Sequence, residues 1–130
     1  MFRLIKVINS HNQCEVKRLP FNNSFTVGKG CAILCTNGTA AQPTATQSPD
    51  YIALTSSEES DGKWLDAMMI TEDMVFKVEY SGAETPFMGM TVGLTTVKYK
   101  MDAVSHNSSG KAVILNVDDD KRYVYVSFRK

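Results

Sequence analysis

Met74-Val75-Phe76-Lys77-Val78-Glu79-Tyr80 sets Met74, Phe76, Val78 and Tyr80 on one side of an extended chain, with Lys77, Glu79 and Val75 on the other. Side chains of a strand alternate between faces, so this period of two describes a strand with one face in a core. Its β-branched and aromatic residues suit a pleated, half-buried surface. Upstream, Leu65, Ala67 and Met69 alternate as well, and Thr71-Glu72-Asp73 reads as a turn between two strands. A helix over 64–76 competes, because Trp64, Ala67 and Met68 would share one helical stripe. The composition after Met74 decides for strand there and leaves 64–70 open between the two.

The same period runs through most of the chain. Phe2 to Ile8 is a strand-like opening, and Asn9 to Asn12 is a polar turn cluster. Cys14 to Leu19 resumes an extended pattern until Pro20 interrupts it. Phe25 to Gly30 alternates and loosens at two glycines, as a bulge or bend does. Cys31-Ala32-Ile33-Leu34-Cys35 is a short apolar run, the pattern of a buried strand. Residues 36–49 are small, polar and interrupted by Pro43 and Pro49, which predicts a surface loop without core side chains. Tyr51 to Leu54 is a short strand and 55–62 an acidic loop. Thr91 to Asp102 reads as one long strand, with Val97, Tyr99 and Met101 on one face and Lys98 and Lys100 on the other. Lys111 to Val117 and Arg122 to Phe128 are strands joined by Asp118-Asp119-Asp120-Lys121. No repeat of solenoid period is visible. About eight short strands with long loops and little helix predict an all-β fold, a small β-barrel or barrel-like sandwich.

Composition narrows the class. The chain has 130 residues, 43% of them hydrophobic and 22% charged, which fits one globular domain over 1–130. Lys plus Arg equals Asp plus Glu at 14 each, so there is no basic surplus of the kind that meets phosphate, and no direct nucleic-acid partner is expected. No apolar stretch approaches the roughly 20 residues that cross a bilayer as a helix. Arg3 and Lys6 break the opening apolar run, so it does not match a secretory signal. Three cysteines, Cys14, Cys31 and Cys35, are an odd, low count that points to free thiols.

Chemistry-bearing constellations are weak. His11 with Cys14, Cys31 and Cys35 makes a nominal tetrahedral zinc set. On one strand, however, Cys31 and Cys35 stand about 13 Å apart, too far to share an ion. The reading is therefore packing cysteines and no metal. Asp118-Asp119-Asp120 lacks the alternation, glycine and distant Glu of a calcium loop. Glu58, Glu59 and Asp61 read as hydrated loop acids. No nucleophile elbow is present, and both histidines, His11 and His106, fall among turn residues. Gly28-Lys29-Gly30 lacks the spacing of a phosphate loop. The expectation is a protein without catalysis or cofactor.

At this point the chain resembles the head-decoration, or capsid cement, proteins of tailed bacteriophages. The resemblance is carried by Phe25-Thr26-Val27-Gly28-Lys29-Gly30-Cys31-Ala32-Ile33-Leu34, then Pro49-Asp50-Tyr51-Ile52-Ala53 and Asp73-Met74-Val75-Phe76-Lys77-Val78. Pro86-x-x-Gly89 and a last strand ending at Phe128-Arg129-Lys130 complete it. It spans residues 25–130 as an order of elements. It implies a structural virion protein, made in the host bacterial cytoplasm, that stabilises a shell by binding the major capsid protein across subunits as a homotrimer. It also implies that residues 1–24 include an extended capsid-contacting segment, with Phe2, Arg3, Leu4 and Ile5 as contacts. The same Phe2, Leu4 and Ile5 equally suit a first core strand. Other readings are a head-tail joining, tail-terminator or tail-tube protein, or a cytosolic carbohydrate- or peptide-binding domain with Trp64, Tyr51 and Tyr80 as its platform.

Overall fold

The computed structural model describes residues 1–7, 15–21, 26–60 and 63–129. The turn expected at Asn9–Asn12, the ligand candidates His11 and Cys14, and Phe25 lie outside the described residues. The fold is all-β and barrel-like, as the alternation predicts, with eleven strands among the described residues. They are β1 (Arg3–Val7), β2 (Val16–Pro20), β3 (Ala32–Thr36), β4 (Thr39–Ala41), β5 (Tyr51–Ala53), β6 (Trp64–Met69), β7 (Met74–Tyr80), β8 (Thr91–Thr95), β9 (Ala103–His106), β10 (Ala112–Val117) and β11 (Tyr123–Phe128). Among the described residues one 3₁₀ turn, Ser57–Ser60, lies in the acidic loop. The segment left open between helix and strand, 64–70, is strand over β6.

The strands form two sheets. In the second half of the chain the order is β7-β11-β10-β8-β9, and β9 returns to pair in parallel with the end of β7, Glu79↔Ala103 and Tyr80↔Val104. This closes a five-stranded barrel, with β1 as an extra strand on β7. In the first half the order is β2-β6-β5-β3-β4, and a parallel bridge Phe21↔Ala40 joins its two edges. Numbered within each half, both sheets run 1-5-4-2-3, every neighbour is antiparallel, and the closing pair 1–3 is parallel. The match extends to register. Ile33↔Tyr51 in the first barrel corresponds to Val92↔Ala112 in the second, and Cys35↔Ala40 corresponds to Leu94↔Val104.

Turns repeat as well. Phe21 N–H donates to the Lys63 carbonyl at 3.1 Å, and Tyr80 N–H to the Arg122 carbonyl at 2.7 Å. Gly30 N–H donates to Ala53 and Gly89 N–H to Ile114, both at 2.8 Å. Both glycines are left-handed, with φ of 85° and 92°, a region that only glycine enters freely. Counterparts in strands 1, 2 and 5 keep one spacing along the chain, that of Phe21 from Tyr80 and of Gly30 from Gly89.

Each barrel has its own interior. Leu19, Phe21, Ile33, Ala53 and Leu65 fill the first. Val78, Tyr80, Val92, Ile114 and Val124 fill the second. On the outer face of the first barrel, Ala32, Ile52 and Met68 pack into the second barrel's cluster. Strands β3, β5 and β6 are therefore buried on both faces, which explains the continuous apolar runs around Ala32 and Ile52.

Two expectations need correction. Residues 91–102 are not one strand: β8 stops at Thr95, and the chain turns before β9. The cause is Asp102, buried to 3% exposure. Its Oδ1 accepts the Val97 N–H at 2.8 Å, and its Oδ2 accepts those of Lys98 and Tyr99 at 3.1 and 2.7 Å. A carboxylate that satisfies three N–H groups outcompetes a ladder there, and the alternation of Val97, Tyr99 and Met101 was accidental. Residues 36–49 are likewise not a plain surface loop. Asn37 and Gly38, with φ of 52° and 78°, turn β3 into β4, and Ala40, Pro43 and Pro49 are buried. An Asn-Gly pair favours this primed hairpin turn because both positions need positive φ.

Candidate functional site

The residues expected at a capsid contact do not share one surface. Phe2 is 3% exposed, its ring 5.3 Å from that of Phe128 and 6.3 Å from that of Phe76. Leu4 is half-buried against the same core, whereas Arg3 and Ile5 are exposed. The alternation of β1 divides them, because one face of that strand seals the second barrel. Trp64, Tyr51 and Tyr80 are not brought together either. Tyr51 belongs to the first interior and Tyr80 to the second. Trp64 lies outside under the Arg18 guanidinium, 3.8 Å from the ring centroid.

The thiols are structural in their surroundings. Cys31 is buried and free, and burial pushes its thiol up to about 11, which keeps it protonated and unreactive near neutrality. Cys35 packs on the same side of β3, against the first interior. Among the described residues no group of three or more His, Cys, Asp or Glu side chains is placed to hold a metal ion. His106 ends β9 with Nδ1 3.3 Å from Glu84 Oε2, both side chains well exposed.

Two surface features stand out. The first is a cleft of about 520 Å³ where β1, β7, β11 and the Asp102 turn meet. Arg3, Lys29, Lys77 and Lys98 bring four cations to it, with Tyr99 and Tyr123 between them. The Lys77 ammonium lies 5.2 Å from the Tyr123 ring centroid and 3.5 Å from Asp118. The Lys98 ammonium lies 5.4 Å from the Tyr99 ring, which packs over Gly28 so closely that a Cβ there would overlap it. Glu79 and Asp102 also line the cleft, but the Asp102 carboxylate is committed to its turn. The balance favours anionic groups. Sequence reasoning missed this cluster because its cations come from four separated segments.

The second feature is the tip of the β7–β8 loop. Phe87 and Met88 are 57% and 67% exposed, the largest values among the exposed large apolar side chains described. They are the two residues between Pro86 and Gly89, the latter fixed by its left-handed φ and its bond to Ile114. Adjacent large apolar residues held outward on a hydrogen-bonded turn are suited to the apolar centre of an interface. Comparison of the chain with protein-family models, curated proteins and solved structures finds no match in any of the three.

Proposed function

We propose that this protein is a structural virion component that binds the outer surface of a phage capsid and reinforces the shell across subunits, as a homotrimer, with no turnover of substrate. The observation that carries the reading is the Pro86-x-x-Gly89 segment. It belongs to the order of elements resembling decoration proteins, and its two intervening residues, Phe87 and Met88, stand outward on an ordered turn. An apolar centre with a polar rim is the anatomy of a stable protein interface. Many copies acting on one particle multiply modest contacts into a strong clamp.

The test uses the double variant Phe87→Ser, Met88→Ser. Both side chains are exposed, so stability changes by about 0.5 kcal/mol or less, while binding to expanded capsids is lost. Decorated and undecorated particles are then heated side by side. Release of DNA at the same temperature from both overturns the reinforcing role, and intact binding of the double variant overturns the contact. A second reading, a binding module for acidic peptides, is favoured by one observation, the cleft with Arg3, Lys29, Lys77 and Lys98. It requires binding that weakens with added salt and survives the loop-tip substitutions.

A further inference from the structure

The two barrels differ at one edge. In the second barrel β1 covers β7 over Met74–Lys77, pairing Arg3↔Lys77, Leu4↔Phe76, Lys6↔Val75 and Val7↔Met74. The counterparts of those four β7 residues are Glu15, Val16, Lys17 and Arg18. Among the described residues they have β6 on one side and no strand on the other. The Met69 N–H bond to the Glu15 carbonyl, at 2.8 Å, and the Phe21 N–H bond to Lys63 set the alternation. Residues 15, 17, 19 and 21 turn their backbone groups to β6, so Val16 and Arg18 turn theirs outward. Pro20 has no N–H and ends the edge. Lys17 and Arg18, which would otherwise screen it, are tied back to Glu15 and Asp66 at 3.1 and 3.0 Å.

A separate observation lies beside this edge. Phe2 enters the second barrel against Phe76 and Phe128. The residues holding those places in the first barrel are Lys17 and Met69, since Met69 opposes Tyr51 as Phe128 opposes Ala112. Met69 lines an open pocket of about 380 Å³ with Cys35, Asp50, Tyr51 and Ile70. Met69 is bonded to Glu15, and the Tyr51 hydroxyl feels the charges of Lys17 and Glu15, so pocket and edge adjoin.

We infer that the outer edge of β2 and this pocket together accept an extended segment of another polypeptide, led by a bulky apolar side chain with alternating aliphatic residues behind it. Main-chain bonds to Val16 and Arg18 supply the strand addition, and the pocket reads the leading side chain. The molecule already makes this arrangement once, with β1 on β7 and Phe2 as the leading residue. A second copy is a poor donor. Its own β1 is committed, with Phe2 buried to 3%. Of the registers in which two β2 edges can pair about a two-fold axis, those centred on Lys17 and on Arg18 set like charges opposite each other. The one centred on Val16 bonds through Val16 alone among the described outward groups of both edges. The inference does not rest on the capsid reading, and loss of capsid binding on substitution of Phe87 and Met88 leaves it intact.

The probe is the heptapeptide Met-Phe-Arg-Leu-Ile-Lys-Val, titrated into the isotope-labelled full chain and followed by amide NMR shifts. Saturable shifts at Val16, Arg18 and Met69 are expected. Val16→Pro removes an outward N–H and no bond to β6, and weakens binding by about tenfold or more. A peptide with its Phe replaced by Ala binds weaker by a similar factor, a measurement that needs no change to the protein. Absence of these shifts overturns the inference, as do shifts confined to Met74–Lys77 from displacement of β1, or equal binding of both peptides. Self-association of the chain that Val16→Pro abolishes, read by sedimentation, overturns the assignment to a different polypeptide.

Discussion

The two barrels have one topology and repeat the turns at Phe21/Tyr80 and Gly30/Gly89 but solve the closing of their ends differently. The second is sealed by β1, whose Phe2 joins Phe76 and Phe128 in a three-ring cluster. The first has Lys17 and Met69 at the corresponding places and an open pocket. What the halves share is backbone geometry: the left-handed glycines Gly30 and Gly89, the closing parallel pairs, and buried positions such as Leu65 and Val124, both 0% exposed. Side-chain identity is mostly not shared. Even the outward cation on an aromatic recurs in kind rather than in residue, as Arg18 on Trp64 and Lys77 on Tyr123. The lesson is that one barrel geometry is kept with largely different side chains, and that the two halves differ most at the end that β1 seals in one and leaves open in the other.

The largest effect expected from that contrast is at the two corresponding end positions. Phe76 is 0% exposed, so Phe76→Ala leaves a cavity and costs about 3–5 kcal/mol. Its counterpart Lys17 is half exposed and paired with Glu15, so Lys17→Ala changes stability by about 0.5 kcal/mol or less. Urea unfolding of the two variants measures both. Similar losses at the two positions would break the comparison, because they would mean that the first barrel's end is packed as tightly as the second's.

Strand existence was largely legible in the sequence, because a half-buried strand must alternate and Met74–Tyr80 does so. Alternation alone misled where a side chain competes for the backbone. Val97, Tyr99 and Met101 kept the period, yet Asp102 takes the N–H groups of Val97, Lys98 and Tyr99 into a turn. In 36–49 the signal was present as Asn37-Gly38, hidden by the absence of large apolar residues, since Ala40 and the two prolines do the packing. The duplication was not legible. Gly30/Gly89, Val16/Val75 and Thr36/Thr95 coincide, but nearly every other pair has changed within the wide limits that cores tolerate. Of the candidate surfaces, the loop tip lay inside a quoted motif. The cleft required the fold to collect Arg3, Lys29, Lys77 and Lys98.

The shared turn glycines allow a finer measurement. At Gly89 nothing lies within 4 Å of where a Cβ would stand, so Gly89→Ala carries only the left-handed backbone cost, about 1–2 kcal/mol. At Gly30 the same cost applies, and the added Cβ also overlaps the Met1 side chain beside the N-terminal strand. Gly30→Ala therefore loses more, by about 1 kcal/mol or above, in the midpoint of chemical unfolding. Equal losses would show that Met1 is not seated on this turn, and would weaken the contrast between a sealed barrel and an open one.

The contrast that is silent at neutral pH separates the barrels by titration. Cys31 and Met90 hold corresponding places, each bonded through its N–H to the third residue before it, Gly28 and Phe87. Met90 cannot ionise. The Cys31 thiol is raised by burial from 9.0 to about 11, so in the unfolded chain it loses its proton first. Between pH 9 and 11 the native state binds more protons than the unfolded state, and linkage then makes stability fall as pH rises through that window. Below pH 9 both states hold the proton, and no such slope exists. The expected result is that the wild-type chain loses stability between pH 9 and 11 more steeply than Cys31→Ala, whereas the two have parallel profiles from pH 6 to 8. Parallel profiles across the whole range would mean that the thiol titrates alike in both states, and that the first barrel's interior at β3 is wetter than its counterpart at Met90.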